Sequence, residues 1–286
     1  MRIRAPAKVN LSLRVVGKRK DGYHLLDTVM VPVGLYDEIT ITRLKSKKTG
    51  RGDLKVTCNH PLVPSGKENL AYRAASLLLG KKGISDPVHI YIRKRIPVGG
   101  GLGGGSSDAA ATLQGLDRFF RLGCRRREIL SLAASLGADV PFFIYGRPAR
   151  ARGIGELLHP FASFPRLWMV ILYPGFPVST RWVYQNLHFS KLTKGIENTR
   201  INFSLRDAKG LEHLLINDLE KVAMRRYPQI AFLKDRLMEE GAAGALMSGS
   251  GSSVFGIFPS GQIAREAFRR LRKEEGVQAY LVRSLS

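Results

Sequence analysis

Apolar residues take every second position from Val9 through Leu11 and Leu13 to Val15, with Asn10, Ser12 and Arg14 between them, the period of a half-buried strand. Further short strands are predicted around Glu38 to Thr42 and Leu54 to Cys58, as a meander, and at Val88, Ile90 and Ile92. Ser65 and Glu68 have the spacing of a capping box and open a predicted helix that stops before Gly80. A second helix is expected from about Arg125, with Ile129, Leu132, Ala133 and Leu136 on one face and Gly137 as its stop. Val140 to Tyr145 is apolar throughout and reads as a strand-like run, which leaves Asp139 in a tight corner before it. The pattern loosens into turns and prolines from Gly155 to Pro165, and a fresh buried strand then runs to Tyr173. Beyond Pro174-Gly175 come a short helix carrying Trp182 and Tyr184, helical patterns over Leu211 to Arg225 and Pro228 to Glu240, and two strand-like runs flanking Ser248 to Ser253. A basic amphipathic helix and a last strand, Val277 to Val282, complete the series. The loosened stretch predicts two domains, 1–158 and 159–286.

Length and composition narrow the class. A chain of 286 residues with 44% hydrophobic content has enough apolar surface for a substantial core. The N-terminal Met-Arg-Ile-Arg-Ala-Pro-Ala-Lys lacks the apolar core of a signal peptide, and the longest apolar run, Trp168 to Tyr173, is too short to span a bilayer, so a cytoplasmic protein without a membrane partner is expected. Cys58 and Cys124 form no Cys-x-x-Cys pair and give no sign of a disulfide framework or a zinc site. The charge is unusual: 46 Lys and Arg against 23 Asp and Glu give a formal +23. Nucleic acid, an anionic membrane or phosphorylated substrates would each be attracted to such a surface. The basic concentrations at Arg43 to Lys55, Arg118 to Arg127 and Arg265 to Lys273 read as a hairpin tip and two solvated helix faces. No helix-turn-helix, zinc-finger or RNP pattern accompanies them, so no nucleic-acid partner is expected.

Candidate chemistry centres on Ile96 to Ala111, which joins a strand-like segment to an alanine-rich helical one through a loop containing six glycines. Without a Cβ, glycine lets a ligand meet a row of backbone N–H donors, and the helix start that follows favours an anion. This is the composition of a phosphate cradle. Gly99, Gly101 and Gly104 satisfy G-x-G-x-x-G, but no acidic residue stands about 20 positions further on, where a dinucleotide fold would hold a ribose. The Gly-Lys-Ser/Thr of a Walker loop and the protein-kinase signatures are absent. Elsewhere, Lys8 stands at the mouth of the first strand, Asp139 is either a turn residue or a working acid/base, and the Ser248 to Ser253 loop carries more small polar residues than a hairpin needs.

Pro97, Gly101, Leu102, Gly103 and Ser107 fit P-x-x-x-G-L-G-x-x-x-S, which resembles the ATP loop of the GHMP small-molecule kinases. The segments P-A-K-V-N-L, D-G-Y-H, G-A-D-V-P and G-S-G-S-S follow in that family's order, and Arg150 to Glu156 is similar to its next loop. The N-terminal signature resembles the branch whose substrate is 4-diphosphocytidyl-2-C-methyl-D-erythritol, in non-mevalonate isoprenoid synthesis. The resemblance implies an α+β, two-domain GHMP architecture with its active site in the interdomain cleft, and ATP-dependent phosphorylation of the substrate's C2 hydroxyl with Mg²⁺. It implies that Pro97, Val98, Gly99, Gly100, Gly101, Leu102, Gly103, Gly104, Gly105, Ser106 and Ser107 bind ATP, one of the two serines reaching the metal. It also implies that Asp139 takes or orients the hydroxyl proton while Lys8 keeps it ionised, and that Asn10, Tyr23, His24 and Tyr184 bind the substrate, Tyr184 facing Tyr23 across the cytosine. A homoserine or mevalonate kinase would share the loop without the cytosine clamp. A basic nucleic-acid-binding module would have only the net charge in its favour.

Overall fold

The structure, a computed structural model, describes residues 1–44, 53–187 and 214–286. It forms two compact units, each assembled from several stretches of chain. The first comprises Met1–Ala7, Leu35–Val98 and Gly103–Gly146; the second comprises Lys8–Gly34, Gly99–Leu102 and Arg147–Ser286. The two longest strands, β1 (Arg2–Lys18) and β2 (His24–Arg43), contribute one part to each unit. A single boundary at 158 therefore does not describe the compact units, because two strands near the N-terminus belong to both.

In the first unit, the later part of β2 pairs antiparallel with β4 (Val88–Arg93), Glu38 opposite Arg93, and β4 pairs with β3 (Leu54–Cys58). β4 thus stands between β2 and β3 in the sheet and that second pairing is parallel, so the strands at Glu38 to Thr42 and Leu54 to Cys58 do not form a meander. Parallel neighbours need a crossover, and α1 (Leu70–Lys81) lies between them in the chain. Helix α1 begins at Asn69, whose side chain accepts from the Ala71 N–H at 2.8 Å and donates to Pro64 O at 2.6 Å. The cap is thus Asn69 rather than Ser65, and the helix passes through Gly80 to Lys81. Helices α2 (Gly104–Phe120) and α3 (Arg126–Leu136) follow, and both α1 and α3 pack against α2. Gly115 lets α2 approach the sheet: a Cβ there would stand 2.2 Å from Ile3 Cδ1 and 2.7 Å from Ile41 Cδ1.

Val140–Tyr145 is not a strand but a helix, α4. Its first five residues are all buried, which erases the one-sided pattern that distinguishes a helix from a buried strand over so short a run. Pro141 is tolerated because first-turn N–H groups have no intrahelical acceptor.

In the second unit, β5 (Ala149–Arg152) pairs with the first part of β2 and with β6 (Leu157–Pro160). A separate antiparallel sheet has the order β11-β7-β10-β9, from β7 (Trp168–Tyr173), β9 (Gly244–Met247), β10 (Val254–Phe258) and β11 (Gln278–Arg283). Its strands pack against α7 (Gln229–Glu239) and α8 (Gly261–Leu271) through Leu233, Leu237, Ala264, Ala267 and Leu271, all buried. A short helix, α5 (Thr180–Gln185), is capped by Ser179. The pattern over Leu211 to Arg225 resolves differently: β8 (Ile216–Asn217) pairs with Ser12 and Leu13 of β1, and α6 starts only at Glu220 and runs to Arg226. Residues 211–213, and most of the expected hairpin tip around Lys45 to Asp53, lie outside the described residues. No helix among the described residues is long and apolar enough to cross a membrane.

Candidate active site

The glycine loop has two differently built parts. In the second unit, Gly101 takes φ +75°, and a Cβ on it would fall 2.1 Å from Ser248 O, so only glycine fits. This close approach lays Gly99–Leu102 against the Ser248 to Ser253 loop. Ser248 Oγ donates to Gly101 O at 3.0 Å and the Ser253 N–H donates to Gly100 O at 3.1 Å. The Lys8 N–H donates to Leu102 O at 3.0 Å, which fixes the root of that lysine to the loop. In the first unit, Gly103 (φ +72°) caps α2 without a side-chain bond, and Gly104, Gly105 and Ser106 form the helix's first turn. N–H groups there have no intrahelical acceptor and sit at the positive end of a 17-residue helix, the arrangement that binds phosphate. Pro97 is buried and Val98 half-buried at the entry to the loop. Ser107 is buried, and its Oγ has no hydrogen-bond partner in the structure.

Lys8 is 5% exposed. Its Nζ donates to Asn10 Oδ1 at 2.5 Å, and Asn10 Nδ2 donates to Thr28 Oγ1 at 2.8 Å, so Asn10 orients the lysine. Thr28 completes the chain by donating to Ser12 O at 2.5 Å. Asp139 belongs to the first unit, half-buried at the N-cap position of α4, where its side chain makes no capping bond.

Tyr23, His24 and Tyr184 line one cavity of the second unit, about 850 Å³ in volume. His24 and Tyr184 stack with ring centroids 4.9 Å apart and planes 27° apart. Tyr184 therefore meets His24, while Tyr23 is 60% exposed on the same cavity. Burial, with Lys18 nearby, pulls the His24 imidazole below its ordinary range, so the ring is neutral near pH 7 and keeps one donor and one acceptor. Leu26 and Ile154 supply apolar wall. Ile154 is held by its own N–H bond to Glu156 Oε2 at 2.6 Å, and Leu26 by its N–H bond to Gly153 O at 2.7 Å.

Sequence reasoning missed a buried ionic cluster beside the loop. Lys94 Nζ contacts Asp37 Oδ2 at 2.5 Å and Asp108 Oδ2 at 2.9 Å, and Asp37 Oδ1 accepts the N–H groups of Arg95 and Ile96 at 2.6 and 2.9 Å. All three side chains are almost fully buried. The residues entering the loop are thereby tied to the first turns of the helix leaving it. Burial raises the Asp108 carboxyl to about 7 despite Lys94, since Asp37 is the second anion on one ammonium. Burial alone would lower Lys94, but its two carboxylates outweigh it and hold the ammonium above its ordinary value. In sequence Lys94 is one more basic residue in Arg-Lys-Arg, with no spacing to mark it.

Residues 69–147 match the GHMP kinases N terminal domain and residues 200–278 match the GHMP kinases C terminal family. A 4-diphosphocytidyl-2-C-methyl-D-erythritol kinase of Geobacter metallireducens is 46% identical over 99% of this chain and 98% of its own length. One from Syntrophotalea carbinolica is 45% identical over 97% and 96%. Among solved structures, a 4-(cytidine 5'-diphospho)-2C-methyl-D-erythritol kinase aligns with a TM-score of 0.83 at 37% identity, covering 100% of both chains. A homoserine kinase from Cytophaga hutchinsonii aligns with a TM-score of 0.75 at 18% identity, over 100% of this chain and 94% of that one, a likeness of fold alone.

Proposed function

The chain belongs to the GHMP kinases, and within them to the 4-diphosphocytidyl-2-C-methyl-D-erythritol kinase family, and from that premise we propose that it transfers the γ-phosphoryl group of ATP to the C2 hydroxyl of 4-diphosphocytidyl-2-C-methyl-D-erythritol. The products are the 2-phosphate and ADP, in the non-mevalonate route to isoprenoid precursors. The observation that carries this reading is a buried lysine rooted on a phosphate-cradling glycine loop, in the same compact unit as an aromatic cavity suited to a nucleobase.

Phosphoryl transfer depends mainly on positioning and charge neutralisation. The N–H groups from Gly99 to Ser106 cradle the ATP phosphates. Lys8, aimed by Asn10, offsets negative charge on the transferring group. Asp139 accepts or orients the C2 hydroxyl proton as oxygen attacks phosphorus and the ADP oxygen leaves. Tyr23, His24 and Tyr184 hold the cytosine, aromatic faces taking its plane and the neutral imidazole reading its polar edge. Mg²⁺ is an ion usually held by substrate phosphates and one or two protein oxygens. The buried, unpartnered hydroxyl of Ser107 is the protein oxygen we assign to it. When bound, Mg²⁺ neutralises charge on the β- and γ-phosphates.

A coupled ADP-release assay with the cytidyl substrate, beside mevalonate and homoserine, tests the assignment. Turnover is expected with the cytidyl substrate alone; equal turnover with either of the others would overturn the specificity. Asp139→Asn is expected to keep ATP binding and lose roughly 10²–10⁴ in kcat, the usual worth of a general base. Near-normal turnover in that variant removes Asp139 from the chemistry.

A further inference from the structure

The aromatic cavity is larger than a nucleobase requires, and its remaining wall is charged. Lys18, Asp21 and Arg181 line it together with Thr180 and Gln185. Asp21 is already committed: its Oδ2 pairs with Arg19 Nη2 at 2.7 Å, and its Oδ1 accepts the Tyr23 N–H at 3.2 Å. Neither Lys18 nor Arg181 forms an ion pair with any carboxylate among the described residues. Lys18 lies close enough to His24 to disfavour a proton on that ring. Arg181 stands three residues before Tyr184 on α5, one helical turn along the same face, so it lies beside the ring that stacks on His24. The cavity thus places two cations, without a carboxylate partner among the described residues, next to its base-binding end.

Thr180 extends the series. Its Oγ1 is 2.8 Å from Ser250 Oγ in the second glycine-serine loop, the same loop that packs on Gly101. Tyr184, Arg181 and Thr180 thus share one wall of the second unit, and Thr180 joins that wall to Ser250.

We infer that Lys18 and Arg181 form a diphosphate subsite, neutralising the two phosphoryl groups that link the cytidine to the phosphate-accepting alcohol. The inference rests on the cytidyl-substrate reading above and assigns to these two residues the discrimination between a cytidine diphosphate ester and an uncharged cytidine. Arginine can engage both phosphoryl groups through its planar fork, while lysine contributes a point charge from β1.

The test is calorimetric titration of the full-length protein with cytidine, CMP and CDP, with ADP in excess to fill the other nucleotide loop. Wild type is expected to bind CDP more tightly than cytidine. Lys18→Gln and Arg181→Gln should each weaken CDP by about 10- to 150-fold, the worth of one charged hydrogen bond, and leave cytidine unchanged. Arg181→Lys should recover part of the loss. In turnover, the KM for the cytidyl substrate should rise while kcat and the KM for ATP hold. Unchanged CDP affinity in the double Gln variant, or an equal loss of CDP and cytidine, would overturn the subsite while leaving the substrate reading intact. Failure of wild type to bind any of the three cytidine compounds would instead overturn the substrate reading, and the subsite with it.

Discussion

Lys94 shows how far a single buried charge can reach. One ammonium serves two carboxylates, and one oxygen of Asp108 is left with no partner in the structure. Desolvating a second carboxylate costs more than the shared cation returns, hence its raised pKa of about 7. A carboxyl whose pKa rises on folding holds its proton more tightly in the folded than in the unfolded chain. Its favourable contribution is present at low pH and is lost as pH climbs from the unfolded value, near 3.8, through about 7. Asp108→Asn removes that titration. Relative to wild type, the variant should gain stability between pH 5 and pH 8, as read from urea midpoints; an offset that stays flat across that interval would show the carboxyl ionised throughout. Residues of this kind are illegible in a single sequence. Asp37 and Asp108 are 71 positions apart, and nothing about either marks a shared lysine.

At the scale of elements, Gly99–Leu102 and the Ser248 to Ser253 loop behave as one object within the second unit. Each supplies what the other lacks: Gly101 has no side chain where Ser248 O must pass, and Ser248 supplies the hydroxyl that holds the Gly101 carbonyl. Gly101→Ala imposes a positive φ on an L-residue, costing about 1–3 kcal/mol, before the clash with a backbone oxygen is counted. The expected outcome is a KM for ATP raised about tenfold or more together with a lower melting temperature; unchanged ATP kinetics would mean that the loop contact does not shape the cradle. Where local signals mislead, a stronger nearby partner explains it. Asn69 wins the α1 cap from Ser65 because its amide can satisfy Ala71 N–H and Pro64 O at once. The run at Val140 is a helix because burial of five consecutive residues leaves no polar stripe to give the period away.

Across the whole molecule, the formal charge of +23 is the property that no fold element explains. Each substrate of the proposed reaction is a polyanion, and a net positive field accelerates such encounters while salt screens it. Raising ionic strength from low to about 0.3 M is expected to lower kcat/KM for both substrates several-fold while leaving kcat unchanged; a salt-independent kcat/KM would show that the charge has no part in capture. The division of the chain follows a similar logic of scale. Segments 1–158 and 159–286 each contain one family match whole, and we propose them as the sequence domains. The compact units are drawn differently, because β1 and β2 lend part of their length to each. What the sequence determined by itself was everything local: the glycine loop leading into a helix, the order of the motifs, the family, and most strands and helices, since these depend on φ freedom, side-chain period and capping within a few residues. Tertiary structure alone decided which distant groups meet: Lys94 with two aspartates, Tyr184 with His24, Ser248 with Gly101, and Lys18 and Arg181 on the cavity that holds the aromatic stack. Those meetings depend on desolvation and packing in three dimensions, and neither leaves a period in the chain.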